Sequence, residues 1–273
     1  MNKFKKNLLF AGVIFILSSL IYSINLDTSF NFDNDFARDL IEVNNIISGH
    51  LTLIGPAASI GIQTGPYYYY LFTPITFITN LNINSVLLFN ALLSALAISY
   101  LAFMFYGKYG ILKASIISTV LALLPVIIIS ARNPGNAFSY IPLLIILLTI
   151  ITIKNENNNS TLLISGLLTG ILVNFHYSNF LIFLPLLFFF LIRLKNKTKI
   201  FIYLSSFIFC FAPLLLFELK HHFVMTKNIF RKSFQKSLPN LLIPSSEISG
   251  FIQLTFLNPT EYNTFSYVFL SHK

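Results

Sequence analysis

From Leu8 to Ile24 the chain carries no charged side chain, and runs almost as free of charge recur at 84–106, 111–130, 136–153 and 200–217. A helix needs roughly 20 residues to cross about 30 Å of hydrocarbon. Several segments here have that length and that polarity, and water gives such surfaces no stable home. Composition points the same way. Hydrophobic residues make up 55% and charged residues 10% of the chain, where a soluble domain carries about 25% charged. Mean hydropathy is +0.75. The expectation is an all-α membrane protein, a polytopic helix bundle of about seven transmembrane helices with added juxtamembrane helices, with the bilayer as its solvent.

Charge then orders the spans. The chain holds 18 Lys and Arg against 9 Asp and Glu, a net charge of +9. The basic residues fall in short clusters between apolar runs, which suits helix orientation rather than phosphate tracking, so no nucleic-acid partner is expected. Cys210 is the single cysteine and reads as a small buried hydrophobe that can form no intrachain disulfide. The basic start Lys3, Lys5 and Lys6 before the first apolar run resembles a signal peptide. That run is longer than a usual signal core, however, and no small-x-small cleavage pattern follows it, so it reads as a retained span.

The stretch 161–192 has Asn174, His176, Ser178 and Asn179 at its middle. A single helix would bury them at the bilayer centre, and two short helices with a polar turn at the surface avoid that cost. The stretch 65–79 is short, holds Pro74 and starts with Tyr67 to Tyr70, so it reads as a juxtamembrane or shallowly re-entrant helix. Seven spans with a cytoplasmic N-terminus place Lys108, Lys113, Lys154, Arg193, Lys195, Lys197 and Lys199 inside with the N-terminal lysines. The short outer loops then hold only Arg38 and Arg132. This is a plasma-membrane, multi-pass arrangement forming one module over 1–273.

Two extracytoplasmic segments follow from that topology: a loop over 27–65 and a tail over 218–273. The loop carries Asp27, Asp33, Asp35, Asp39 and Glu42, five of the nine acidic residues. Phe36, Leu40, Val43 and Ile47 have helical spacing, which predicts an amphipathic helix over 36–48 lying on the membrane. Asp33 or Asp35 would cap it.

Three local patterns share the outer face. Asp33-Asn34-Asp35-Phe36-Ala37-Arg38 follows the first span. Gly55-Pro56 and Thr64-Gly65-Pro66-Tyr67-Tyr68-Tyr69-Tyr70 come next, and Arg132-Asn133-Pro134 and Asn174-Phe175-His176-Tyr177 close later spans. Their order and spacing resemble glycosyltransferase family 39, membrane enzymes of the GT-C fold that include bacterial aminoarabinose transferases and protein O-mannosyltransferases. The resemblance covers nearly the whole chain. It implies transfer of a sugar from a polyprenyl-phosphate donor to an extracytoplasmic acceptor (a lipid, a glycan or a protein). By position, Asp35 matches the family's base and Arg38 its partner arginine. Asp33, Tyr67, Tyr68, Tyr69, Arg132, His176 and Lys220 are candidate substrate contacts. Where the best-known relatives have a lysine before two prolines, this chain has Thr64 before Gly65-Pro66. Where some have an acid after the aspartate, it has Phe36, and no metal or other cofactor is expected.

Each candidate also has a plain structural reading. Asp35 or Asp33 can simply cap a helix, and Arg38 can anchor at the interface. The tyrosines can form an interfacial belt. Arg132 can end a helix, and His176 with Tyr177 can close a hairpin. His221 and His222 are adjacent and so point in different directions, which argues against a metal pair. Two other functions stay open: a component that flips or transports lipid-linked sugars, and an inactive transferase lacking its C-terminal part. Ionisable residues are nearly absent from the span interiors, which favours chemistry at the surface over conduction.

Overall fold

The computed structural model describes residues 2–30, 32–58 and 62–237. The part of the expected tail beyond 237 and the Ser59-Ile60-Gly61 portion of the glycine-proline loop lie outside the described residues. The chain divides into two units, 1–228 and 229–273; of the second, only the continuation of the last helix to Ser237 is described.

The described residues are helical throughout, joined by turns and one hairpin-like loop. Helix α1 spans Lys3–Ser23, with Asn2 as its N-cap. A single turn, α2 (Leu26–Ser29), leads to α3 (Asn34–Ile47) and then α4 (Tyr67–Ile78). The longest helix is α5 (Ile83–Tyr109), followed by α6 (Ile111–Leu123), α7 (Pro125–Arg132) and α8 (Ile141–Ile153). The first unit ends with α9 (Asn159–Phe175), α10 (Phe180–Arg193), α11 (Ile200–Phe209), α12 (Ala212–Lys220) and the first turn of α13 (Val224–Ser237).

Two helices, α1 and α5, are each long and apolar enough to cross a membrane, and two bent pairs raise the number to four. The expected continuous span over 111–130 is broken by 60° between α6 and α7. Pro125 opens α7 and leaves Leu124 in an extended conformation, as proline imposes on its predecessor. The expected span over 200–217 bends by 51° between α11 and α12, just ahead of Pro213. The helix expected over 136–153 starts only at Ile141. Asn133 accepts from the Gly135 amide at 2.9 Å, and Ser139 Oγ donates to the Pro134 carbonyl at 2.6 Å, so a turn occupies the first residues. The stretch 161–192 does divide, with a single 3-10 turn over Tyr177–Asn179 between α9 and α10.

Helix α5 is the axis of one half of the bundle. Its buried stripe is rich in small residues, including Ala91, Ser94, Ala95 and Ala102, which let α1, α6, α7 and α8 approach closely. Ser99 Oγ donates to the Ala11 carbonyl at 2.8 Å, and Tyr22 Oη donates to the Ala122 carbonyl at the broken end of α6. Helices α9, α10 and α11 form the second cluster around Phe183, Phe190, Tyr203 and Phe207, with Phe183 stacked on Phe207 at 4.1 Å. Leu9, Ile16 and Leu20 of α1, Leu112 of α6 and Leu181 and Phe188 of α10 are exposed. Such an apolar coat belongs against lipid tails.

The contacts sort the first unit into two ends. At one, Phe4 meets Phe103, Lys108 reaches the last turn of α8, and Lys199 reaches Asn157. At the other, Arg132 meets Ile21, Gly65 meets Asn174, and α3 packs on α4. The basic clusters Lys3–Lys6 and 193–199, with Lys108 and Lys154, lie at the first end. The acid-rich segment lies at the second.

Candidate functional site

The site is built on α3. Asp33 caps it, its carboxylate accepting from the Phe36 amide at 2.8 Å, the usual use of a short acidic side chain at a helix start. Asp35 occupies the first turn, where the N-terminal end of the helix favours negative charge. One turn on, Arg38 reaches back. Its Nη1 lies 2.8 Å from Asp35 Oδ1, while Nε and Nη2 donate to Asp39 Oδ1 at 3.1 and 2.8 Å. One guanidinium thus serves two carboxylates of opposite situation. The Asp35 side chain is 79% exposed, that of Arg38 is 39% exposed, and that of Asp39 only 3%.

Helix α4 fixes the surroundings. Four consecutive tyrosines step about 100° each around a helix and so point to four sides. Tyr67 Oη donates to the Cys210 carbonyl at 2.9 Å, Tyr68 to Pro134 at 2.9 Å, Tyr69 to Asp39 at 3.2 Å, and Tyr70 to Thr52 at 2.8 Å. One helix therefore ties down the α11–α12 bend, the turn before α8, the buried carboxylate and the segment after α3.

Between α3 and α4 the chain folds back on itself. Gly55 donates to the Thr64 carbonyl at 2.7 Å, Thr64 to Pro56 at 2.9 Å and Ala58 to Ile62 at 2.7 Å. Gly55 and Gly65 are required here by close approach. A Cβ on Gly55 would lie 2.0 Å from the Gly65 carbonyl oxygen, and one on Gly65 would lie 2.0 Å from Asn174 Oδ1. Gly65 also donates to the Asn174 carbonyl, and Tyr177 Oη donates to Gln63 at 2.6 Å, so the hairpin is clamped to the end of α9.

Together these segments enclose a cavity of about 630 Å³. Asp35 and Arg38 stand on one side, Ala57, Ala58 and Thr64 on the hairpin, and Asn136, Ala137, His176 and Tyr177 opposite. His176 Nδ1 is 2.7 Å from Ser178 Oγ, so the other ring nitrogen is the one left to serve a ligand. A smaller cavity of about 170 Å³ adjoins Arg38 on its far side, with Glu42, Gln63 and Tyr69 in its wall.

Of the residues singled out from sequence, Asp35, Arg38 and His176 meet at the large cavity. Asp33 stands at the cap, and Tyr67, Tyr68 and Tyr69 have their hydroxyls engaged as above. Arg132 Nη2 donates to the Ile21 carbonyl at 2.8 Å, in the last turn of α1, where a cation offsets the helix dipole. Lys220 is exposed in the last turn of α12. Nearby, Glu218 accepts from the Met225 and Thr226 amides at 2.9 Å each and so caps α13. Among the described residues no group of three or more His, Cys, Asp or Glu is placed to hold a metal ion.

Asp39 was not among the site candidates. Its signal was present in the sequence: it falls on the apolar stripe of α3, between Phe36 and Val43, and a carboxylate at such a position needs a partner. Burial raises its carboxyl to about 6, against the opposing pull of Arg38 and Tyr69. Burial and then the Asp39 charge raise the Tyr69 hydroxyl above the ordinary phenol range, which keeps it a donor. No family model, no curated protein and no solved structure matches this chain.

Proposed function

We propose that this chain is a membrane glycosyltransferase that moves a sugar from a polyprenyl-phosphate donor to an extracytoplasmic acceptor. One observation carries the reading: a carboxylate and an arginine, ion-paired and partly open, face a cavity of about 630 Å³ at the end of the bundle away from the lysines of Lys3–Lys6 and 195–199. In this reading the chain crosses seven times in a GT-C-like arrangement, and its basic end, with the N-terminus, is cytoplasmic. The alternation of ends along α1, α5, α6–α7, α8, α9, α10 and α11–α12 supports that count, with the shorter helices completed by their flanking turns.

The chemistry needs little more than these groups. The acceptor hydroxyl gives its proton to Asp35 as its oxygen attacks the anomeric carbon. The bond from that carbon to the phosphate oxygen breaks, and the polyprenyl phosphate leaves with the electron pair. Arg38 stabilises the charge gathering there. The departing group is already a stable anion, so no strong acid has to protonate it. Attack opposite the leaving group inverts the anomeric centre.

The test uses the full chain in lipid nanodiscs with a panel of polyprenyl-phosphate hexoses and pentoses, reading release of polyprenyl phosphate by mass spectrometry. Release that disappears in Asp35→Asn and Arg38→Ala supports the proposal. Undiminished release in Asp35→Asn removes the base. Movement of a fluorescent lipid-linked sugar between leaflets, with no release, would establish the transport reading instead.

A further inference from the structure

Arg38 divides its donors between an open carboxylate and a buried one, and the buried one has the firmer hold. Asp39 takes both Nε and Nη2, and it is itself held by Tyr69 from a second helix. Rotation of the guanidinium away from Asp39 would strand a carboxylate whose side chain is only 3% exposed. The edge that carries Nη1 is thereby aimed at Asp35 and the large cavity. We propose that Asp39, braced by Tyr69, is the positioning residue of this site: ionised, it locks the Arg38 guanidinium in register beside Asp35, and protonated, it lets that guanidinium turn.

The groups facing Asp39 are few. On its own helix they are Arg38 and Asp35; from α4 they are Tyr69 and Tyr68. In the small cavity beside Arg38 and Tyr69, Glu42 is the one further titratable wall residue among those described. Arg38 is thus the only cation in this set. Protonating Asp39 leaves the guanidinium with Asp35 alone, an exposed partner that imposes little geometry. Only the consequence for sugar transfer rests on the function proposed above; the placement of Arg38 does not.

The experiment reads Arg38 directly. The full chain in nanodiscs is treated with phenylglyoxal, and peptide mass spectrometry follows modification of Arg38 relative to exposed Arg193 at the basic end. The ratio cancels the reagent's own pH dependence. In the wild type at pH 7.5, Arg38 should react about tenfold more slowly than Arg193, the size of losing one hydrogen bond between charged groups. Asp39→Asn should bring the two within about twofold, with Tyr69→Phe in between. Acidification to pH 5.5 should narrow the wild-type ratio and leave that of Asp39→Asn flat. Asp39→Glu, which restores a carboxylate, should recover part of the protection. Arg132, held to Ile21, reports folding, and a variant that exposes it is set aside in favour of Tyr69→Phe and the wild-type pH series. Equal ratios in wild type and Asp39→Asn, or a wild-type ratio indifferent to pH, overturn the proposal. In the transfer assay the wild type should lose rate below about pH 6, and Asp39→Asn should lack that limb. If no sugar transfer is found in any variant, the proposed function fails while the reagent ratios still decide the role of Asp39.

Discussion

The two ends of the bundle use charge in different ways. At the basic end each well-placed cation meets backbone. Lys108 Nζ donates to the Thr152 and Ile153 carbonyls at 3.0 and 3.2 Å, closing α8. Lys197 reaches the carbonyls of Leu191 and Ile192 at the end of α10, and Lys199 reaches Asn157. The Thr152–Ile153 and Leu191–Ile192 carbonyls lie at helix C-termini, where a lysine satisfies orphan carbonyls and opposes the dipole, while Asn157 lies in the turn ahead of α9. At the other end Arg38 meets side chains that are themselves charged, and one of them is out of water. The first pattern completes helices. The second stores a strong, directional interaction beside a cavity.

Arg38→Ala should produce the largest effect and show the contrast most sharply. Transfer should fall by about a hundredfold or more, the usual cost of removing a cation from a developing charge. Stability at pH 7.5 should fall by about 3 kcal/mol, because a buried carboxylate loses its ion partner. That loss should shrink on acidification. Asp39 has its carboxyl raised from 3.8 to about 6, so its burial costs stability at neutral pH, by about 3 kcal/mol. The cost is relieved as pH falls from about 6 toward 4, where the folded chain binds the proton more readily than the unfolded one. Without Arg38 the relief begins at a higher pH. Thermal unfolding in detergent at pH 7.5 and pH 5 measures it; a gap between wild type and variant that does not narrow would mean that Asp39 was never uncompensated.

The sequence made the two ends legible to different degrees. Charge-poor runs and lysine clusters are one-dimensional signals, so the helical class, the split of 161–192 and the helix near 36–48 could be read directly. The breaks at Leu124 and Cys210 were harder, because an apolar run looks continuous to a hydropathy window even where Pro125 or Pro213 interrupts its hydrogen bonds. At the site, the Asp35–Arg38 pair follows from three-residue spacing on one helix. The meeting of that pair with His176 does not, since nearly 140 residues separate them and only the clamp of Gly65 on Asn174 brings them together. The tyrosine run invited one shared role. Helical geometry instead spreads the four hydroxyls among four segments.

That clamp gives the next test. Gly65→Ala places a methyl group against Asn174 Oδ1 at 2.0 Å, with hairpin backbone on one side and the buried end of α9 on the other. A loss of about 2 kcal/mol is expected from overpacking, with a fall in transfer that Gly12→Ala on α1, where a Cβ meets nothing within 4 Å, should not cause. Wild-type melting in Gly65→Ala would show that the hairpin can shift off α9. Glu218→Ala removes the carboxylate that accepts from Met225 and Thr226, and should cost about 1 kcal/mol, as for other helix caps. Faster amide exchange confined to the first turn of α13 is the expected reading.

Lys108→Ala should have the smallest effect, and it bounds the comparison from the other side. The ammonium is exposed, and the carbonyls it meets at the end of α8 can turn to water or to neighbouring headgroups. About 0.5 kcal/mol is the scale of such a dipole contact, and added salt should erase most of it. Transfer should be unchanged, because Lys108 lies at the end of α5 farthest from the cavity. Salt should do far less to the Asp39–Arg38 contact, whose carboxylate ions in solution cannot readily reach. A melting difference between wild type and Lys108→Ala that persists in high salt, or a loss of transfer, would mean that the basic end acts on the site. The division of labour between the two ends would then be wrong.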